Sequence, residues 1–501
     1  MVAKLDAQGL VAPAPRGATV LGRFEMIATG TVAIVAVYLA ATENLVWVPF
    51  LLGVIIGLLA LLVRWPDGAI VGLLIAGSVP RWFFPVSTWN AKPEHVVVAA
   101  AGAVVLFRTV SGSHKWKPLE KLDFLLLAFL AINYVSSYVF SPEPASTLRW
   151  SLLQTLAALP FFLIGQLITT KEHLERVMGW WLWVGAVEAV FGILCYFSHL
   201  LFGTSLGITL FVYIGFIPGV HGTLWEPNIF GSYCTCFAVM NLFYYVADKS
   251  RNIWYMLGFA LSTVGLLLSL ARQAWACLIF VGAGILLYHL RHSLRGRKTD
   301  RKATQWRRLT LALVGGGVAL SFALFAVRDL SSRLSTLSLS EVAEDPTVVQ
   351  RASLIVLAMQ DIQQHPVLGL GSSSFQLLYL GEDDSYQGVG EAWLGSLFFR
   401  VIHDTGILGM LFLGWFIVNL GRRAWRVLSV RDSPSAVLGA LFAAAVVMLI
   451  AYQLTDASTL AFTWINLGLM AAALRMAEGS LTPRPSLAGS YQPAANLLPP
   501  S

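Results

Sequence analysis

The feature that most constrains this chain is the recurrence of apolar runs, each of about 17–22 residues, along most of its length. A helix of about 20 residues crosses a hydrocarbon core of about 30 Å. Only 12% of the 501 residues are charged, about half the share in soluble proteins. We therefore predict an all-α fold, a polytopic transmembrane helical bundle of about 12–14 spans.

The runs place the spans near 24–42, 46–63, 68–86, 95–108, 123–140, 148–168, 176–201, 229–247, 252–270, 274–290, 309–326, 396–420, 434–454 and 459–476. The stretch 206–219 reads LGITLFVYIGFIPG. Its glycines and proline make it too broken for a full span, and it fits a re-entrant segment better.

Basic residues between the runs predict the orientation, because short cytoplasmic loops are enriched in Lys and Arg. The loop 291–308 carries eight basic residues and one acidic residue, and the loop 422–431 reads RRAWRVLSVR. Both are predicted to be cytoplasmic, which places both termini inside and residues 327–395 in an extracytoplasmic loop. We expect residues 1–22 and 477–501 to be disordered tails around a bundle that covers 23–476.

A single arginine interrupts the apolar segment LLLSLARQAWACLIF at 266–280. Arg272 is the only Lys, Arg, Asp or Glu between Arg251 and Arg291. One helix through these residues would far exceed the bilayer, whereas two helices of about 19 residues fit. We therefore predict that Arg272 lies at the outer tip of a helical hairpin. It either binds an anion there or extends along the interface as a snorkelling side chain.

Two further segments are predicted on the same side. Glu226-Pro227-Asn228 indicates a turn followed by a helix start, although Glu226 and Asn228 could merely cap that helix. In the loop 327–395, Asp345-Pro346 predicts a helix start. An apolar stripe follows, made of Val348, Ala352, Ile355, Met359 and Ile362. Arg351 lies beside this predicted amphipathic helix face, where it points to the bilayer or to solvent.

These segments resemble the O-antigen ligase and O-antigen polymerase superfamily of bacterial envelope proteins. The similar residues are GTLWEPNIFGSYC at 222–234, LLLSLARQAW at 266–275, VVQRASLIVLAMQDIQQHPVLGLGSSSF at 348–375 and VIHDTGILGMLFL at 401–413. The resemblance covers about residues 215–420. Here Ala271 precedes the arginine, where the family often has serine.

The resemblance implies a glycosyltransferase in the bacterial cytoplasmic membrane that needs no metal or other cofactor. Its donor is a glycan on a polyprenyl diphosphate, its acceptor is the hydroxyl of a glycan or lipid-glycan, and nucleic acid is not a partner. Catalytic roles are expected for Arg272, Arg351 and Glu391. Glu391 is the nearest polar residue to the family's His-Asn position, which falls at Gly395. Substrate-binding roles are expected for His221, Glu226, Asn228, Arg400, His403 and Asp404.

Two alternatives remain open at this stage. The acidic segment Glu382-Asp383-Asp384 could bind a divalent cation, although a solvated loop tip is the more ordinary reading. A transporter or flippase of lipid-linked glycans would also have about a dozen spans. The absence of duplicated halves and the collection of charge at one face favour an enzyme.

Overall fold

A computed structural model describes residues 64–80, 84–86, 89–91, 93–211, 217–247, 252–295, 346–379, 394–430 and 435–481. The predicted spans 24–42, 46–63 and 309–326 lie outside the described residues, as do Glu391 and the acidic segment 382–384.

Within these ranges the chain is mostly helical. The helices are α1 (Pro66–Gly77), α2 (Pro93–Val110), α3 (Lys121–Val139), α4 (Pro144–Leu167), α5 (Lys171–Phe202), α6 (Pro227–Ala247), α7 (Ile253–Leu268), α8 (Arg272–Arg295), α9 (Pro346–Gln364), α10 (Ser374–Tyr379), α11 (Leu397–Ser429), α12 (Ala436–Ala451) and α13 (Ala461–Leu481). The strands are β1 (Phe84–Val86), β2 (Trp89–Ala91), β3 (Ile208–Phe211) and β4 (Ile217–Val220).

Six of the described helices are long and apolar enough to cross a membrane, which confirms a polytopic helical membrane protein. They are α3, α4, α5, α6, α8 and α11. The apolar helices α7 and α12 are shorter. The predicted span 68–86 is wrong as a single helix, because α1 ends at Gly77 and β1 follows.

Two short antiparallel hairpins correct the all-α prediction. Strands β1 and β2 form one hairpin, and β3 and β4 form the other, with Ile208 opposite Val220. The second hairpin occupies the stretch that fitted a re-entrant segment. At the other end of the bundle, α13 continues to Leu481, beyond the predicted end of the bundle at residue 476.

Helix α6 lies at the centre of the bundle, and every residue from Ile229 to Tyr244 is buried. Glycines on neighbouring helices let those helices approach it closely. A Cβ atom on Gly185 of α5 would lie 2.1 Å from the Phe237 ring, and one on Gly439 of α12 would lie 2.0 Å from the Phe243 ring. Small residues at such contacts are typical of membrane bundles, where close van der Waals packing drives association.

Ion pairs gather the ends of three helices at one end of the bundle. Arg423 of α11 pairs with Glu120, just before α3, and with Glu478 of α13. Arg475 of α13 pairs with Asp123 of α3 at 2.7 Å. We call this the basic end, because the predicted cytoplasmic loop 422–431 belongs to it. The starts of α6, α8, α11 and α13 lie at the opposite end.

Helix α11 is interrupted at Gly406, whose φ of 64° and ψ of −169° are not helical. In a regular helix the amides of Ile407 and Leu408 would bond to the carbonyls of His403 and Asp404. Here the segment 366–371 satisfies all four groups instead. Ile407 and Leu408 donate to the carbonyls of Pro366 and Val367, at 2.9 and 3.2 Å.

The two carbonyl groups that the interruption leaves free, those of His403 and Asp404, are hydrogen-bonded by the same segment. The amides of Leu370 and Gly371 donate to the carbonyls of His403 and Asp404, at 2.9 and 2.8 Å. The main chains are so close that a Cβ atom on Gly406 would lie 2.2 Å from the Val367 carbonyl carbon. Glycine is therefore required at 406 both by its positive φ and by the space available.

We expect Gly406→Ala to abolish the stable fold or to lower the unfolding temperature strongly, because the new Cβ meets main-chain atoms that cannot move aside. Gly414→Ala is the matched control in the same helix, since a Cβ there would meet nothing within 4 Å. That control should be neutral or should stabilise by up to about 1 kcal/mol. Thermal unfolding of the purified variants in detergent measures both effects. Equal unfolding temperatures would contradict the assigned role of the interruption.

Candidate functional site

Arg272 is the first residue of α8 and follows a tight break after α7. In this break Leu270 has a φ of 60°, which is uncommon for a residue with a side chain. The Ser269 hydroxyl stabilises the break, because it donates to the Leu266 carbonyl at 2.6 Å and accepts from the Ala271 amide at 3.2 Å. The predicted pair of helices with Arg272 at their junction is therefore confirmed, and this arginine is exposed.

The start of α6 lies against the start of α8. Pro227 is the first residue of α6, so Glu226 and Asn228 flank the helix start as expected. The Gln273 amide nitrogen donates to Asn228 Oδ1 at 3.0 Å and to Thr455 Oγ1 at 3.4 Å. A Cβ atom on Gly231 would lie 2.5 Å from the Ala271 Cβ. The segments of Arg272 and Glu226, distant in sequence, are thus fixed side by side.

Helix α9 brings Arg351 to the same end of the bundle. Ala358 is fully buried, with Leu354 and Ile355 packed beside it. Because seven residues make about two helical turns, Arg351 lies on the same face as Ala358. Of the predicted apolar stripe, Ile355 packs against the bundle, whereas Ala352 and Met359 are exposed. Arg351 is partly buried and belongs to the face that contacts the bundle.

Arg351 acts electrostatically on Glu226, which precedes the start of α6. Burial raises the pKa of the Glu226 carboxyl above its usual range, and the positive charge of Arg351 opposes this rise. The pKa stays raised because the loss of water outweighs the attraction of the arginine. We call Glu226, Asn228, Arg272, Gln273 and Arg351 the arginine cluster. It combines two guanidinium groups with one carboxyl group and two fixed amides.

Arg400 is bound by protein groups. Its Nε lies 2.7 Å from Asp456 Oδ2, and a second guanidinium nitrogen donates to Ser458 Oγ at 2.7 Å. Both Arg400 and Asp456 are buried. Burial raises the pKa of the Asp456 carboxyl, although Arg400 pulls it down. The neighbouring Thr455 contacts Gln273, so this ion pair connects the start of α11 to the arginine cluster.

His403 and Asp404 are buried as well, and they join α9 and α10 to α11. His403 Nε2 lies 3.0 Å from Asp361 Oδ2 of α9, and its Nδ1 lies 3.5 Å from Asp404 Oδ1. Tyr379 of α10 donates to Asp361 at 3.0 Å, and the Ser373 amide donates to Asp404 at 3.1 Å. These contacts fix the position of α9 relative to α11, and they therefore also fix the position of Arg351.

Glu188 is a buried carboxylate that the sequence interpretation missed. Its Oε1 accepts from the Thr223 amide at 2.8 Å, within the turn that carries His221 and leads to Glu226. His221 is also buried, and its amide donates to the Gly207 carbonyl at 2.9 Å. Glu188 is the only Lys, Arg, Asp or Glu between Arg176 and Glu226. A lone ionisable residue in a membrane span is itself a signal of a structural or functional site.

The described part of the chain holds no group of three or more His, Cys, Asp or Glu residues arranged to bind a metal ion. The structure brings together Glu226, Asn228, Arg272 and Arg351, and it places Arg400, His403 and Asp404 in supporting contacts beside them. His221 is part of the turn that precedes Glu226. The position of Glu391 relative to these residues is not described.

Comparison with known families matches part of the chain. A family model described as O-antigen ligase matches residues 257–414, from α7 through the interruption in α11. The match supports the resemblance of this region to the O-antigen ligase and polymerase superfamily. It includes Arg272 and Arg351, but it begins after the segment GTLWEPNIFGSYC. Comparison with curated proteins finds no match.

Proposed function

We propose that this chain, whose residues 257–414 match a family model described as O-antigen ligase, transfers a glycan from a polyprenyl diphosphate to a sugar hydroxyl at the outer face of the membrane. Membrane glycosyl transfer of the ligase or polymerase type follows from the family. The nature of the donor and the face of the membrane are our inference from the arginine cluster and from the distribution of charge. The family match favours this enzyme over the transporter alternative.

The observation that carries the proposal is the convergence of Arg272 and Arg351 at the end of the bundle opposite the basic end. A departing diphosphate gathers negative charge as its bond to the sugar breaks. A guanidinium group can grip phosphate oxygens through two parallel hydrogen bonds. The exposed Arg272 lies at the start of α8, where the helix dipole adds partial positive charge. We assign the binding of the diphosphate to Arg272, with Arg351 as the second cation.

Glu226 is our candidate for the general base. The acceptor oxygen forms its bond to the anomeric carbon, the bond between that carbon and the diphosphate breaks, and the hydroxyl proton passes to the carboxylate. Because the pKa of this carboxyl is raised, it lies closer to neutral pH, and a general base is most effective when its pKa is near the working pH. Glu391, the base predicted from sequence, stays a competing prediction that one variant can test.

The remaining candidate residues act through position in this proposal. The pair of Arg400 and Asp456 holds the start of α11, and His403 with Asp404 holds α9 against it. Asn228 orients the start of α6 through Gln273. His221 and Glu188 support the turn before Glu226. Substitution of these residues is expected to lower both the stability and the activity of the protein. Substitution of Arg272 is expected to lower the activity alone.

We expect Arg272→Lys to keep only part of the transfer activity and Arg272→Ala to lose about 10²–10³-fold, because one preorganised electrostatic contact contributes about that much. Arg149 is the matched control, since it is an exposed arginine near the start of α4 at the same end of the bundle. Arg149→Ala should retain full activity. The assay is transfer by the purified protein from a polyprenyl-diphosphate glycan, with folding checked by thermal unfolding. A fully active Arg272→Lys would restore the interfacial interpretation.

The pH dependence tests Glu226 and Arg351 together. Activity that needs the Glu226 carboxylate is lost as the pH falls through its raised pKa. Arg351→Gln removes the charge that opposes this rise, so the acid limb of the activity profile should move to higher pH. Arg351→Lys keeps the charge and should leave the limb in place.

Glu226→Gln should lower activity by about 10²–10⁴-fold, the typical contribution of general base catalysis. Glu391→Gln should have little effect if Glu226 is the base. The reverse ranking, together with an acid limb that does not move in Arg351→Gln, would transfer the role of base to Glu391. That outcome would leave the assignment of Arg272 unchanged.

A further inference from the structure

An apolar groove of about 510 Å³ lies between α11, α12 and α13, with contributions from α3 and α4. Its walls along α11 are formed by Leu413, Ile417, Val418, Leu420 and Gly421, and those along α12 by Phe442, Ala445, Val446, Met448 and Leu449. At one end the groove reaches Tyr452 and Ser458, and at the other end it reaches Arg422, Trp425 and Arg426. It thus runs along the helices within the apolar part of the bundle.

The length of the groove suits a lipid chain. From Leu413 to Arg426 the helix rises about 20 Å, since each residue adds about 1.5 Å. One leaflet supplies about half of a hydrocarbon core of about 30 Å. A chain that enters at Arg426 can therefore lie in the groove through its own leaflet. The walls offer such a chain apolar contacts along its whole course.

The two arginines at one end of the groove indicate which kind of lipid headgroup could bind there. Arg422 and Arg426 are four residues apart, so they lie on the same face of α11. Arg423, between them, faces elsewhere and pairs with Glu120 and Glu478. No acidic residue in the described ranges forms an ion pair with Arg422 or Arg426, and both are exposed. Two such arginines above an apolar groove are complementary to a phosphate that carries acyl chains.

We propose that this groove binds an anionic phospholipid, with its phosphate on Arg422 and Arg426 and an acyl chain along α11 and α12. The lipid belongs to the leaflet at the basic end, which the loop charges predict to be cytoplasmic. It is distinct from the glycan donor, whose diphosphate we assign to the arginine cluster at the opposite end. Trp425 lies beside the phosphate, at the depth where amphipathic rings are favoured.

The chain offers a matched pair of variants for the groove itself. Gly421 lines the groove, and Gly414 on the same helix does not line it. A Cβ atom at either position meets nothing within 4 Å, so both sites accept a side chain without strain. Gly421→Leu should fill the groove and displace the lipid, whereas Gly414→Leu should leave lipid binding unchanged.

A second pair of variants tests the headgroup. The double variant Arg422→Gln/Arg426→Gln removes both cations from the groove. Lys115→Gln/Lys121→Gln removes two exposed cations next to the start of α3, at the same end of the bundle. We expect the arginine variant to bind phosphatidylglycerol about 30-fold more weakly, because each basic residue contributes about fivefold. The lysine variant should bind it like the wild type.

The experiment counts phospholipid retained per protein by mass spectrometry after purification in detergent. It then measures the rise in unfolding temperature on addition of phosphatidylglycerol or phosphatidylcholine. The expected result is retention and stabilisation by phosphatidylglycerol in the wild type and both controls, and loss of both in Gly421→Leu and the arginine variant. Equal retention in all variants, equal stabilisation by both lipids, or retention of polyprenyl phosphate alone would overturn the proposal. Misfolding of Gly421→Leu but not of Gly414→Leu would also overturn it, because the groove would then be filled by the chain itself.

Discussion

The exchange of hydrogen bonds at Gly406 determines where the rest of the candidate site lies. A helix that breaks inside a bundle leaves main-chain groups without partners, and each one costs free energy when water is excluded. The segment 366–371 supplies those partners, and it is joined directly to α9. The interruption of α11 therefore also fixes the position of α9. The motifs HPVLGLG and HDTGILG occur together in this chain because each completes the main-chain bonding of the other.

The position of α9 then determines the electrostatics of the site. His403 bridges to Asp361 near the end of α9, and Ala358 packs below, so Arg351 reaches Glu226. The other arginine, Arg272, is positioned by a different structural feature, the break between α7 and α8. The two cations are thus held by different parts of the fold, which are linked through Gln273 to Asn228 at the start of α6 and to Thr455 beside the Arg400–Asp456 pair. Such a rigid arrangement suits a site that binds a charged leaving group, because it needs little reorganisation during the reaction.

Much of this arrangement could be predicted from sequence where the physical constraint is local. The 39 residues between Arg251 and Arg291, of which Arg272 is the only Lys, Arg, Asp or Glu, exceed one span, so a break near their middle followed from length alone. The face of α9 that packs against the bundle was not identified from sequence, because Ala358 is small and gives a weaker apolar signal than Met359, which is exposed. The hairpin of β3 and β4 was missed because glycines and aromatic residues fit several irregular structures.

Contacts between residues far apart in the chain could not be predicted. The bond from Gln273 to Asn228 and the pairing of Arg400 with Asp456 depend on how the helices pack, which no periodicity records. Glu188 is different, because its isolation in an apolar run is visible in the sequence and could have marked it as a candidate residue. Buried polar residues of this kind indicate the interior of a membrane bundle more directly than apolar residues do.

The most direct measurement of the central claim is photo-crosslinking with a polyprenyl-diphosphate glycan that carries a photoreactive group next to the diphosphate. Labelled peptides are identified by mass spectrometry after irradiation of the purified protein. The expected labels lie at the start of α6, at the start of α8 and on α9 near Arg351, and unlabelled donor should compete for them. Labels confined to Arg422 and Arg426 at the basic end, or labels that the donor does not displace, would contradict the assignment of the arginine cluster as the donor site.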